Sequence, residues 1–93
     1  MNKNVAEVVF YIRKNGQRHI LELPLHISAN ELVLALNQAY DLQIDISDIK
    51  KCYLKAENPI ALLRGNKTLE EYGIRNGSAI YYTEQGQGYG RKI

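Results

Sequence analysis

The chain has few cysteines, no tryptophan and no long hydrophobic run. Of its 93 residues one is a cysteine, so no internal disulfide can form and a reducing compartment is the expected environment. The longest apolar runs, 8–12 and 32–36, have five residues each, whereas a membrane helix needs roughly 20. We therefore expect no direct membrane insertion. Because Glu7 interrupts the N-terminal apolar residues, we also expect no signal peptide and a cytoplasmic location.

The sequence also has no large excess of positive or negative charge. Twelve basic and ten acidic residues give a net charge of +2, which does not require a nucleic acid or an anionic membrane as the partner. The pattern most similar to a nucleic-acid site is the group of Lys50, Lys51 and Lys55 around Tyr53. The negative charge of Glu57 nearby argues against this interpretation. A small nucleic-acid-binding domain is therefore a disfavoured alternative. The 45% hydrophobic and 24% charged residues are typical of one small globular domain.

The N-terminal quarter predicts a β-hairpin. Residues 6–13 are β-branched and aromatic with a period of two, and Leu21 and Leu23 alternate in a return strand over 18–23. Between them, Asn15-Gly16 favours a type I′ turn. Pro24 has no backbone N–H, so the second strand ends there or lies at a sheet edge.

A helix follows the hairpin. Ser28 and Glu31 have the spacing of a capping box, and apolar residues recur at helical spacing until about Asp41. We interpret 41–51 as a loop held by buried apolar side chains, namely Leu42, Ile44, Ile46 and Ile49.

The C-terminal half predicts short strands over 51–56, 60–63 and 79–83, with one helical turn over 68–74 that ends at Gly73. The last strand can pair parallel to the first. The predicted architecture is α+β, a mixed four- to five-stranded sheet with one main helix across one face. We predict one domain over residues 1–83 and a flexible, glycine-rich tail over 84–93.

This order of elements resembles the β-grasp fold of ubiquitin. The most specific segment is 66–78, in which Leu69, Tyr72 and Ile74 resemble the residues that fix a short turn before ubiquitin's final strand. Conjugated relatives and sulfur carriers end in Gly-Gly, whereas this sequence ends Gly-Arg-Lys-Ile with no two adjacent glycines. We therefore expect a non-conjugating protein, and a sulfur-carrier or conjugation role is the disfavoured alternative.

The same C-terminal segment is similar to that of the YukD/EsaB family, small ubiquitin-like proteins of bacterial type VII (ESAT-6-like) secretion loci. The matching residues are Leu69, Tyr72, Gly73 and Ile74. The resemblance implies an accessory or regulatory component that binds proteins of the secretion machinery, and it does not imply an enzyme. It leaves the oligomeric state open.

We expect no catalytic residue, no metal site and no cofactor. Cys52 could be a nucleophile only with a histidine beside it as the base, and nothing in the sequence places His19 or His26 there. A cysteine in a strand pattern is usually a small buried hydrophobic residue. His19 and His26 lack the further ligands of a metal site. The glycines of 86–90 precede no helix that could hold a phosphate. We interpret three carboxylates as turn residues, namely Asp41, Asp45 and Asp48.

Tyrosine is unusually abundant, at seven residues. Tyr11, Tyr53 and Tyr81 fall on the strand phase opposite to the core, so they are candidates for a protein-binding patch on the sheet face that the helix leaves open. Lys51 and Lys55 share the phase of Tyr53 and are candidates for its rim. The alternative is that these are ordinary exposed strand tyrosines. The helix surface around Asn30, Leu34 and Gln38 is then the next candidate.

Overall fold

The computed structural model describes residues 4–83 as a mixed sheet and two α-helices. In chain order the elements are β1 (Val5–Ile12), β2 (Gln17–Pro24), α1 (Ala29–Tyr40), β3 (Leu54–Glu57), β4 (Ala61–Leu63), α2 (Leu69–Tyr72) and β5 (Ala79–Tyr82). The sheet order is β2–β1–β5–β3–β4, with β1 and β5 parallel and all other neighbours antiparallel. The predicted α+β architecture and the parallel pairing of the first and last strands are confirmed. The predicted tail, 84–93, lies outside the described residues.

The core lies between the sheet and α1. In β1 every second residue from Ala6 to Ile12 is buried, which is the period of a strand with one covered face. The side chains that α1 buries are Ala29, Leu32, Val33 and Leu36. Tyr40 at the end of α1 packs its ring 5.5 Å from the ring of Phe10, measured between centroids. Full burial of a large side chain such as Leu32, Val33 or Phe10 contributes about 1.5–3 kcal/mol.

Two capping boxes start the two helices side by side. The Ser28 hydroxyl accepts from the Glu31 N–H (3.1 Å), and the Glu31 carboxylate accepts from the Ser28 N–H (2.8 Å), as predicted. Thr68 and Glu71 repeat the arrangement at α2, at 3.1 and 2.9 Å, which the sequence interpretation missed. An isolated antiparallel bridge joins Ser28 to Thr68. Each cap contributes about 1 kcal/mol to its own helix. The bridge holds the start of α2 beside the start of α1, and Leu69 is fully buried.

Both helices end in left-handed backbone conformations. α1 ends at Asp41 (φ 52°) and α2 at Gly73 (φ 87°), the two predicted ends. The N–H of Gly73 donates to the carbonyl of Glu70 at 2.9 Å, and its φ favours glycine because a Cβ is strained there. No helix in residues 4–83 has the length and apolar character required to cross a membrane.

The first hairpin differs from the prediction. The predicted type I′ turn is wrong, because Ile12 pairs with Gln17 and leaves a four-residue loop that begins with a 3₁₀ turn over Arg13–Asn15. In this loop Gly16 has a positive φ (72°) and Asn15 does not. The Asn15 side chain instead accepts from the Gln17 N–H at 3.0 Å, the local bond that makes asparagine a turn residue. β2 lies at the sheet edge, in agreement with the position of Pro24.

The third strand starts later than predicted. Residues Ile46–Lys51 form 3₁₀ turns, which Asp45 caps by accepting from the Ser47 N–H at 3.0 Å. The predicted loop is held by Leu42 and Ile44, both buried, whereas Ile46 is exposed. The placement of Lys51 on the third strand is therefore wrong, because Lys51 ends the 3₁₀ segment and β3 begins only at Leu54.

Ser78 ties the start of β5 to the turn between β3 and β4. It is a fully buried polar residue. Its hydroxyl donates to the carbonyl of Asn58 at 2.6 Å and accepts from the Arg75 N–H at 3.0 Å. The Arg75 guanidinium also donates to the Asn58 side chain at 2.8 Å. These bonds hold β5 in position between β1 and β3.

Candidate protein-binding surface

The sheet face opposite α1 carries one row of side chains, one from each strand. Tyr11 of β1 pairs with Arg18 of β2 and with Tyr81 of β5. Lys55 of β3 pairs with Tyr81 and with Leu62 of β4. Directly opposite residues on neighbouring strands point to the same face of a sheet. We call these five residues the outer row.

A stacked tyrosine pair forms the centre of the outer row. The rings of Tyr11 and Tyr81 lie 4.7 Å apart between centroids with 10° between their planes. The Tyr81 hydroxyl donates to the Glu57 carboxylate at 3.1 Å. Partial burial, followed by this hydrogen bond and the carboxylate charge, raises the pKa of Tyr81. Both rings are half-buried.

A groove runs beside this pair towards β4. It has a volume of about 950 Å³, and its main side chains are Arg13, Lys14, Lys55, Ile60, Leu62 and Tyr81. Ile60 is 90% exposed and Leu62 is 42% exposed, which is unusual for two neighbouring large aliphatic side chains. We call this the outer groove. Its lining combines the aliphatic side chains of Ile60 and Leu62 with three cationic side chains and the carboxylate of Glu57.

Three of the five residues predicted for the patch are neighbours. Tyr11, Tyr81 and Lys55 are consecutive members of the outer row. Tyr53 is half-buried and precedes β3. Lys51 ends the 3₁₀ segment, where its charge adds to the larger effect of the Ser47 hydrogen bonds in lowering the pKa of Asp45. Among the described residues, neither Lys51 nor Tyr53 lines the outer groove.

Sequence reasoning missed Arg13, Lys14, Ile60 and Leu62. Arg13 and Lys14 reach the groove because the hairpin loop is longer than a type I′ turn. Leu62 reaches it because β4 pairs with β3 in a register that places Leu62 beside Lys55. The available signal was the apolar run of 60–63, in which alternation sends every second side chain to the open face.

The candidates for catalysis have structural contacts instead. Cys52 is buried, and its Sγ donates to the carbonyl of Asp45 at 3.4 Å. Burial, and then the charges of Asp45 and Asp48, raise the pKa of this thiol, so it stays protonated and is a poor nucleophile. His19 packs on the Tyr40 ring, 4.6 Å between centroids. Within residues 4–83 no three histidine, cysteine or carboxylate side chains are grouped as metal ligands.

The helix surface is the weaker of the two candidate faces. The Asn30 side chain accepts from the Gly65 N–H at 3.1 Å and donates to the Asn66 side chain at 3.4 Å. Its amide group is therefore occupied in holding the turn after β4. Gln38 is exposed, and Leu34 is 42% exposed. This surface therefore offers one large apolar side chain, against a stacked pair and two aliphatic side chains on the sheet.

Solved structures with this fold are ubiquitin-like. The C-terminal ubiquitin-like domain of mouse tubulin-specific chaperone e matches with a TM-score of 0.66 at 13% identity, covering 87% of each chain. The ubiquitin-like domain of tubulin-binding cofactor B gives 0.64 at 17% identity, covering 84% of this chain and 87% of its own. A protein designed de novo on the basis of ubiquitin gives 0.66 at 17% identity, covering 97% of this chain and all of its own. At these identities the similarity establishes the fold.

The family comparison is more specific. No curated protein matches the chain. The family model described as "WXG100 protein secretion system (Wss), protein YukD" matches residues 10–81, which include both tyrosines of the stacked pair and most of the sheet. With a ubiquitin-like fold and this match over most of its length, the chain belongs to the YukD family of the WXG100 secretion system.

Proposed function

We propose that the protein is a cytoplasmic, ubiquitin-like module that binds a protein partner without catalysis or conjugation, as an accessory or regulatory component of a bacterial type VII secretion system. The family gives the secretion context. The observation that carries the binding role is the stacked pair of Tyr11 and Tyr81 beside the exposed Ile60 and Leu62.

The chemistry of this face suits a reversible protein interface. A tyrosine offers a large contact area at a low entropic cost, and the two rings already stack on each other in the free protein. Ile60 and Leu62 leave apolar area in water that a partner would remove from it. The hydrogen bond from Tyr81 to Glu57 satisfies the hydroxyl in the free protein. These features are typical of the centre of a protein interface, in which aromatic and aliphatic side chains are surrounded by polar ones.

The charge around the outer groove favours an acidic partner. Arg13, Lys14 and Lys55 line it, and the Glu57 carboxylate among them accepts the Tyr81 hydrogen bond. Opposite charges across an interface mainly accelerate association and select partners. We therefore expect binding that weakens as the salt concentration rises.

The proposal is tested by site-specific photocrosslinking in the native bacterium. A photoreactive residue at Ile60, on the groove, is compared with one at Leu34, on α1, since both sites are exposed. We expect crosslinks from position 60 to a component of the secretion machinery, and their loss when Tyr11→Ser and Tyr81→Ser are added. Secretion of the system's substrates should fall in the same double variant.

The opposite pattern overturns the proposal for this face. Crosslinks to the secretion machinery from position 34 that survive the double substitution would assign binding to the helix surface. Circular dichroism of the purified variants separates loss of binding from loss of folding.

A further inference from the structure

The edge of the sheet formed by β2 has no strand beside it in residues 4–83. β2 is first in the sheet order and is eight residues long. On its other side it pairs with β1 along its whole length. An unpaired strand edge is a template for another strand, and proteins usually shorten, bend or cover such edges.

The hydrogen bonds of β1 show which backbone groups of β2 face outwards. The Val9 N–H donates to the Ser78 carbonyl at 3.0 Å, and the Glu7 carbonyl accepts from the Gly77 N–H at 2.9 Å. The backbone groups of Val9 and Glu7 therefore point towards β5 and away from β2. Backbone groups in an antiparallel pair alternate between bonded and non-bonded positions. The β2 residues opposite Val9 and Glu7 consequently point their N–H and C=O groups away from β1, towards the solvent at the sheet edge.

These outward residues are Ile20 and Glu22, and Arg18 has the same phase. All three side chains are exposed, and Ile20 is 69% exposed. Along the edge the order is therefore cation, large aliphatic side chain, anion, at intervals of two residues. This sequence is complementary to itself when it is read in the opposite direction.

We propose that a second copy of the chain pairs with this edge, antiparallel, about a two-fold axis at Ile20. Arg18 of each copy then lies opposite Glu22 of the other copy, and the two Ile20 side chains meet. The three outward residues of each copy supply three N–H and three C=O groups, which makes six hydrogen bonds across the pair. Two five-stranded sheets become one continuous sheet of ten strands.

The side chains select this register. Moving one copy by two residues places Ile20 opposite a charged side chain and separates Arg18 from Glu22 of the other copy. The shifted register is less stable, because opposite charges across neighbouring strands are stabilising. A shift towards the end of β2 also brings Pro24, which has no N–H to donate, into the ladder. A two-fold contact requires a self-complementary patch, which the centred register provides.

A second observation supports an interface here. Beside the edge, between β2 and α1, lies a groove of about 450 Å³ with mainly apolar side chains. Two small residues of its helix wall, Ala35 and Ala39, are exposed and leave room for an approaching chain. Antiparallel pairing about Ile20 brings the same groove of the second copy to the opposite side of the axis, so apolar surface is covered next to the ladder.

This inference goes beyond the proposed function and does not rest on it. The outer groove is lined by residues of β3, β4, β5 and the β1–β2 loop, whereas the pairing edge is the backbone of β2 around Ile20. A dimer therefore leaves both outer grooves free and presents two binding sites on one continuous face.

The test is a charge exchange measured by sedimentation equilibrium from about 1 μM to about 1 mM, the range in which a small interface dissociates. We expect the wild type to dimerise. Arg18→Glu and Glu22→Arg should each weaken the dimer by about tenfold or more, because each brings like charges together twice. An equimolar mixture of the two variants should recover the wild-type affinity as a heterodimer, and so should the double variant. Arg64→Glu, an exposed charge change away from β2, is the matched control.

Amide hydrogen exchange of the wild type provides a reading that needs no variant. The N–H groups of Arg18, Ile20 and Glu22 should become protected as the concentration rises, while those of His19 and Leu21, bonded within the sheet, stay protected throughout. A wild type that remains a monomer at every concentration overturns the proposal and leaves the edge for a strand of another protein. A dimer that is insensitive to both charge reversals, with no protection at these three amides, also overturns it.

Discussion

The two faces of the sheet are made by the same strands and have opposite properties. Towards α1, β1 and β5 place Phe10 and Ile80, which are fully buried. Towards the open side the next residues are Tyr11 and Tyr81, which are only half-buried and stack on each other. A strand with a period of two therefore supplies stability through one face and leaves the other free for binding. Substitutions on the two faces should have separable effects, and the largest effects on stability belong to the inner face.

Truncation of the core side chains outside the sheet, which complete the core on its inner side, should destabilise the protein most. We expect Leu69→Ala, Ile74→Ala, Leu32→Ala and Leu36→Ala each to lower the free energy of unfolding by about 2–5 kcal/mol, because all four side chains are buried and leave a cavity. Urea denaturation measures the change, with Leu34→Ala as the exposed control. An unchanged midpoint for Leu69→Ala would contradict the packing of α2 against the core.

Loss of the buried hydroxyl of Ser78 should have the next largest effect. Ser78→Ala leaves the Asn58 carbonyl and the Arg75 N–H without their partner, so we expect a loss of about 1–3 kcal/mol in the free energy of unfolding. Gln38→Ala removes an exposed polar side chain of α1 and should change it by less than about 0.5 kcal/mol. Equal effects in the two variants would show that the buried hydrogen bonds of Ser78 contribute no more to stability than an exposed side chain does.

The outer face should contribute a smaller, measurable coupling. A double-mutant cycle on Tyr11 and Tyr81 should give a coupling of about 0.5–1.5 kcal/mol, the value typical of an aromatic pair. The same cycle between Tyr11 and Tyr53 should be additive within about 0.5 kcal/mol. Coupling between Tyr11 and Tyr53 as large as in the first cycle would place Tyr53 within the same cluster.

The smallest expected effect is a dependence on alkaline pH. The folded protein keeps the Cys52 thiol protonated to a higher pH than the unfolded chain does, because burial raises its pKa. Unfolding then releases a proton, so stability should fall as the pH rises above about 8.5, the ordinary value for cysteine. Under reducing conditions, Cys52→Ala should flatten this part of the profile. A profile that is identical in the variant would assign the decline to other groups.

The local elements could be predicted because neighbouring residues encode them. Ser28 and Glu31 determine where α1 begins, and Gly73 determines where α2 ends, through bonds within a few residues. The alternation in β1 determined which side chains face the core. The YukD family was recognisable because Leu69, Tyr72 and Ile74 lie within one short segment.

The binding face depended on tertiary structure. The sequence placed Tyr11 and Tyr81 on the open phase of their strands, yet their stacking required the parallel pairing of β1 with β5, strands from opposite ends of the chain. Lys51 was misplaced because its segment forms 3₁₀ turns and β3 begins only at Leu54. Leu62 was missed because the β3–β4 register brings it to the groove. Alternation fixes the face that a side chain occupies, whereas its neighbours on that face are set by strand order and register, which depend on contacts distant in sequence.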